Sequence, residues 1–146
     1  MSMQDWEVLY QVKGPKCLLE MTAAELKEAM KDTDTVILSF GALENHGAHL
    51  PLGADWFQAN VLIRRVYEEL AALGHKSIPG FPVPFGTQTN QFERQGANLF
   101  GNVYLNEKTF IDMAEDLILH LHEQGFERFV LCLNHSENHS ALNVVA

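Results

Sequence analysis

Residues 35–55 read TVILSFGALENHGAHLPLGAD. The first six are apolar and β-branched, bounded by Asp34 and Gly41, and predict a buried strand. The rest of the stretch holds Glu44, His46, His49 and Asp55 among glycines and a proline. A strand that runs into a ligand-rich loop suits an open α/β sheet, which binds its ligands outside the carboxyl ends of its strands.

The flanking segments have the same character. Thr22-Ala-Ala-Glu25 is a capping box and predicts a short helix to about Met30. Residues 56–73 predict a helix with a stripe of Phe57, Val61, Val66 and Leu70, stopped by Gly74. Asp55 stands just before it, where an N-cap would stand. Residues 75–90 predict a short strand and then an irregular loop punctuated by Pro and Gly. Residues 91–105 are polar, with a Gly-containing turn at 99–102. Asn106 is placed to cap a helix over 107–124, with Phe110, Met113, Leu117 and Leu121 as its core face and Gly125 as its end. Residues 128–133 predict a second buried strand. A second polar motif follows, Asn134-His-Ser-Glu-Asn-His139, and then a helix from Ser140. Strands alternating with helices predict an α/β domain with a mostly parallel sheet, spanning residues 1–146 as one unit.

The bulk numbers narrow the functions. A chain of 146 residues that is 47% apolar can bury a core. No apolar run approaches the roughly 18 residues of a membrane span, and the N-terminus has no signal-peptide pattern. The net charge of −9 argues against nucleic acid and anionic membranes as partners. Cys17 and Cys132 lack CxxC spacing and suit reduced thiols in a cytoplasmic protein.

The two polar motifs mirror each other. Glu44-Asn-His46 is Glu-x-His and His135-Ser-Glu137 is His-x-Glu. In extended backbone, residues i and i+2 point to one side, so each motif would offer an imidazole and a carboxylate to one point. Asp55 adds a carboxylate able to bridge two ions. Two imidazoles and three carboxylates suit a pair of divalent cations such as Zn²⁺ or Mn²⁺, with Fe²⁺ also compatible. Taken singly, each residue has a plainer reading. His46 and His49 could be loop histidines bonded to backbone, Glu137 a solvated carboxylate, and Asn138 a cap for the helix after it. The joint pattern favours the metal reading. His49 is assigned to holding the loop and not to ligation, and Asn138 likewise to support. The chain contains no G-x-S-x-G, P-loop, G-x-G-x-x-G or H-E-x-x-H motif.

The stretch from Gly41 to Asp55 resembles the first metal motif of the creatininase (creatinine amidohydrolase) family. Leu133-Asn-His-Ser-Glu-Asn138 resembles the second, and Pro84-Phe-Gly-Thr87 sits in the expected order between them. The resemblance implies a three-layer α/β/α fold, often in homo-oligomeric hexamers, and hydrolysis of amide C–N bonds in small, cyclic or linear substrates. Some members of the family act on other small carbonyl compounds or on a peptide. It implies that Glu44 and His135 hold one metal ion, that His46 and Glu137 hold the other, and that Asp55 bridges them. Many members have glycine where this chain has Glu137. Leu133-Asn134 replaces the family's usual Asn-Gly, so a different turn is expected there. Family chains also continue well past the second motif. The resemblance therefore implies a chain incomplete at its C-terminus, with the proton donor beyond Ala146, in preference to a short member completed by another subunit. Two functions follow: a dinuclear amidohydrolase using metal-activated hydroxide, and a non-catalytic domain that keeps a site without a complete pocket. Substrate selection is expected from residues 85–102 together with the part of the family chain that follows Ala146.

Overall fold

The computed structural model describes residues 14–88 and 100–146. The predicted polar stretch 91–105 and the specificity loop 85–102 therefore lie partly outside the described residues. The elements, in chain order, are α1 (Ala23–Ala29), β1 (Thr35–Phe40), α2 (Ala54–Ala72), β2 (Ile78–Val83), β3 (Gly86–Thr87), β4 (Tyr104–Leu105), α3 (Glu107–Glu123), β5 (Arg128–Leu133) and α4 (His139–Val145). The expected α/β architecture with a parallel sheet is present.

β1 is the centre of the main sheet, which runs β2-β1-β5 with both pairs parallel. Its continuous apolar run follows from this position, because a central parallel strand is covered on both faces. Val36, Leu38 and Phe40 face a core shared with Phe110, Ala114 and Leu121 of α3 and Ala141 and Leu142 of α4. Ile37 faces the other way, onto Ile63 of α2 and Cys132 of β5. Helices thus cover both faces, in three layers. β3 and β4 form a second, short parallel pair beyond the end of β2. Among the described residues no helix is long and apolar enough to cross a membrane.

The capping box at α1 forms as predicted, with Glu25 N–H donating to Thr22 Oγ1 at 3.2 Å and Thr22 N–H to Glu25 Oε2 at 2.8 Å. Two helix readings need correction. In α2, Phe57 and Val61 are exposed, at 46% and 53%. The buried side is Ala54, Asp55, Ala59, Ile63 and Arg64, continued by Val66, Tyr67 and Leu70 against the sheet. Small and charged residues occupy positions where the apolar pattern placed large ones, so hydrophobicity alone pointed the helix wrongly. In α3, Asn106 holds the N-cap position, but its side chain makes no cap bond.

Arg64 is buried because it clamps the segment preceding α1. Its guanidinium donates to the Pro15 carbonyl and, at 3.0 Å, to Glu20 Oε2. Burial raises the Glu20 carboxyl pKa, but the Cys17 backbone N–H and the Arg64 guanidinium outweigh it and hold the group below its ordinary 4.5. A depressed carboxylate stabilises the fold above its unfolded pKa and loses that contribution as pH falls through the folded value. Glu20→Gln should therefore melt below the wild type at about pH 7, with the gap closing at pH values well below 4.5, as followed by circular dichroism. A gap that persists unchanged in acid would refute the assignment.

Candidate metal centre

The loop after β1 is tied back onto the start of α2. Glu44 N–H donates to the Leu52 carbonyl at 2.9 Å, and Gly47 takes φ +88°. Gly41 lies so close to the first turn of α2 that a Cβ there would meet the Asp55 carbonyl carbon and oxygen at 2.9 Å. This approach brings Asp55 under the end of β1. Asp55 does not cap the helix as its position suggested. Gly53 occupies the N-cap, and Asp55 lies in the first turn, only 6% exposed. Its carboxylate turns to the histidines, at the helix end where the macrodipole favours negative charge.

Four of the predicted residues meet there. Ligand atoms of Glu44, His46 and Asp55 all lie within 4.8 Å of one another. His46 Nε2 is 3.3 Å from Asp55 Oδ1, and His135 Nδ1 is 3.1 Å from Asp55 Oδ2. Glu44 Oε2 is 3.1 Å from His135 Nδ1 and 3.6 Å from His46 Nε2. The far nitrogen of each ring meets a backbone carbonyl: His46 Nδ1 meets that of Glu44 at 3.1 Å, and His135 Nε2 that of Thr87 at 3.1 Å. A carbonyl only accepts, so those far nitrogens carry the protons. Each imidazole is thereby oriented with its other nitrogen toward the carboxylates, as metal-ligating histidines are. Acidic oxygens of Glu44 and Asp55 crowd one nitrogen, in a buried place where uncompensated like charges repel. This donor set fits a divalent cation.

The remaining predicted residues behave differently. Glu137 is partly buried on a 3₁₀ turn, Ser136–Asn138, and not on extended backbone. The i, i+2 argument that paired it with His135 therefore fails, since successive residues of a 3₁₀ turn are rotated by about 120°. His49 is exposed, with its ring beside Gly47. The loop is fastened through Asn45, whose backbone N–H donates to Asn102 Oδ1 and whose Nδ2 donates to the Phe100 carbonyl at 2.9 Å. Asn138 stands at the N-cap position of α4 without capping it. Its amide crosses to the strands. His75, His120, His122 and His139 are all exposed. Burial raises the thiol pKa of both Cys17 and Cys132, as suits core cysteines and not nucleophiles.

Three supporting residues went unread in the sequence. Asn134 Nδ2 donates to the Asp55 backbone carbonyl at 2.8 Å, a bond that uses the asparagine standing where the second motif departs from the usual pair. Tyr104 stacks on His135, with centroids 5.9 Å apart and planes 23° from parallel. Thr87 supplies the carbonyl that His135 needs. Tyr104 carried no sequence signal, because its role depends on β4 lying beside β3.

Comparison with known proteins identifies the family and the fold. The chain is 31% identical over 120 residues to creatinine amidohydrolase of Pseudomonas putida, covering 82% of this chain and 44% of that protein. It is 27% identical over 117 residues to 3-dehydro-scyllo-inosose hydrolase of Thermotoga maritima, covering 80% of this chain and 35% of that one. Its fold superposes on a mutant creatininase of Zn-Zn type with a TM-score of 0.69 at 25% identity, covering 90% of this chain and 52% of the other. The chain thus spans about half, or less, of the length of these relatives. The family model described as Creatininase: Creatinine amidohydrolase matches residues 19–146, and the chain belongs to the creatininase family.

Proposed function

We propose that this chain holds a pair of divalent cations, Zn²⁺ foremost with Mn²⁺ or Fe²⁺ as substitutes, and serves the hydrolysis of an amide C–N bond in a small, cyclic or linear, substrate. The observation that carries this reading is the posture of Asp55, whose two carboxylate oxygens each face a different imidazole. A carboxylate so placed suits a bridge between two ions. Glu44 lies nearer His135 than His46, 3.1 Å against 3.6 Å, which supports Glu44 and His135 as partners on one ion. His46 and Glu137 are assigned to the other.

Bound there, such ions would supply an acidified water and a Lewis acid for the substrate carbonyl. The chain's own residues hold and orient. Thr87 and Glu44 carbonyls keep the two rings turned inward, Tyr104 covers one face of His135, and Asn45 fastens the Glu44–His46 loop to residues 100–102. The relative from Thermotoga maritima, named as a hydrolase of 3-dehydro-scyllo-inosose, favours a second reading in which the substrate is another small carbonyl compound.

The test is metal content and turnover together. The purified chain, loaded with Zn²⁺ or Mn²⁺, should bind two ions and hydrolyse at least one compound in a panel of cyclic amides, formamides and lactones. Two ions with turnover of a lactone alone would select the second reading. One ion or none, with no turnover across the panel, would leave a non-catalytic domain.

A further inference from the structure

Asn138 is fully buried on the turn that follows His135. Its amide meets three backbone groups from other parts of the chain. Oδ1 accepts the Thr87 N–H at 2.9 Å, while Nδ2 donates to the Gly41 carbonyl at 3.1 Å and to that of Phe40 at 3.4 Å. Thr87 is the same residue whose carbonyl receives His135 Nε2 at 3.1 Å. We propose that Asn138 is a positioning residue: by holding the Thr87 peptide against the end of β1, it keeps His135 turned so that Nδ1, and not ring carbon, faces Asp55 and Glu44.

The ring has one orientation that satisfies all its neighbours. Turned over by 180°, it would present carbon to both carboxylates and to the Thr87 carbonyl. The site gives it little other freedom. Tyr104 stacks on one face. Gly86 approaches so closely that a Cβ there would meet His135 Cδ2 at 3.0 Å and Asn138 Oδ1 at 2.8 Å. The Thr87 carbonyl is the group that distinguishes the two ring orientations on the side away from the carboxylates, and Asn138 sets where that carbonyl lies. Asparagine suits the task because one oxygen meets one N–H and one NH₂ group meets two carbonyls. An aspartate would set an oxygen against two carbonyls, and an aliphatic side chain would take the amide partner from the buried Thr87 N–H and Gly41 carbonyl. The consequence for metal rests on the reading of His135 as a ligand; the orientation of the ring does not.

The metal-free chain, labelled with ¹⁵N in its histidine rings, tests this by NMR. His135 should show an Nε2 proton protected from solvent exchange. In Asn138→Ala that protection should fall about fivefold or more, as expected from one lost hydrogen bond. Zn²⁺ affinity, titrated in parallel, should fall about 10- to 100-fold. A wild-type His135 with no protected Nε2 proton overturns the proposal whether or not the variant folds. So does protection that is unchanged in a folded Asn138→Ala chain. If protection changes as expected but the wild type binds no zinc, the metal reading fails and the positioning role stands.

Discussion

Asp55→Ala should abolish tight binding of both ions, lowering affinity by more than the about 10- to 100-fold that loss of a supporting partner costs. Asp55 is the residue both imidazoles face, so its removal opens both halves of the proposed site at once. Glu44→Ala should act more locally and weaken chiefly the ion shared with His135, since Glu44 Oε2 lies 3.1 Å from that ring. Differential scanning calorimetry with and without Zn²⁺ reads the same event as stability. At a hundredfold excess over Kd, a bound ion stabilises the native state by about 2.7 kcal/mol. For a chain of this size that is roughly 5–10 °C in Tm. The wild type should show such a rise, and Asp55→Ala should show none. Removing Asp55 also takes away one of two crowded carboxylates, so the metal-free variant should melt close to the metal-free wild type. If both variants kept two tightly bound ions, the ligand set proposed for this chain would be wrong.

The largest effect on stability is expected at Gly80. Between Ile37↔Pro79 and Ser39↔Pro82 the register of β1 and β2 shifts, and β2 carries an extra residue there. Gly80 lies in that bulge. A Cβ on it would fall 2.3 Å from the Ile37 carbonyl oxygen and 2.8 Å from Leu38 Cδ2. The obstacle is backbone of the central strand, which cannot move without parting the sheet. Gly80→Ala should therefore cost about 3 kcal/mol, the upper end of overpacking, and lower Tm by roughly 6–12 °C. Gly74→Ala is the contrast. Gly74 has φ +84° but open space around its Cα. It should lose only the about 1–2 kcal/mol of a left-handed alanine. A Gly80→Ala chain as stable as Gly74→Ala would mean that β1 and β2 do not approach so closely.

Much of the fold was legible because burial leaves a local trace. β1 and β5 run over the residues expected, and Gly74 and Gly125 stop α2 and α3 with positive φ. But β5 is not the buried strand its apolar run predicted: paired on one side only among the described residues, it has Cys132 alone buried and Arg128 and Leu133 exposed. α2 was misread on one side because its buried face includes Ala59, Arg64 and Asp55, whose burial depends on what they touch. The candidate site divides in the same way. Glu44, His46, Asp55 and His135 stood out by residue type and spacing, and the structure brings them together. Glu137 was paired with His135 on the assumption of extended backbone, and the 3₁₀ turn removed that premise. Asn45, Thr87 and Asn138 act through hydrogen bonds to partners 48 to 98 residues away, which no local pattern records.

Residue type and spacing alone set out the chemistry on offer: carboxylates and imidazoles in two polar motifs, each after an apolar run that forms a strand. Those are properties of residue type and short-range pattern, and they need no knowledge of neighbours. Only the tertiary structure decided which of these groups meet. The β2-β1-β5 order sets the ends of β1 and β5 side by side, so that Asp55 and His135, eighty residues apart, come within 3.1 Å. The reason is physical. A metal-sized cluster is defined by distances of a few ångströms, and these follow from strand order, the Gly41 contact and the Asn138 amide, all of them long-range features of the folded chain.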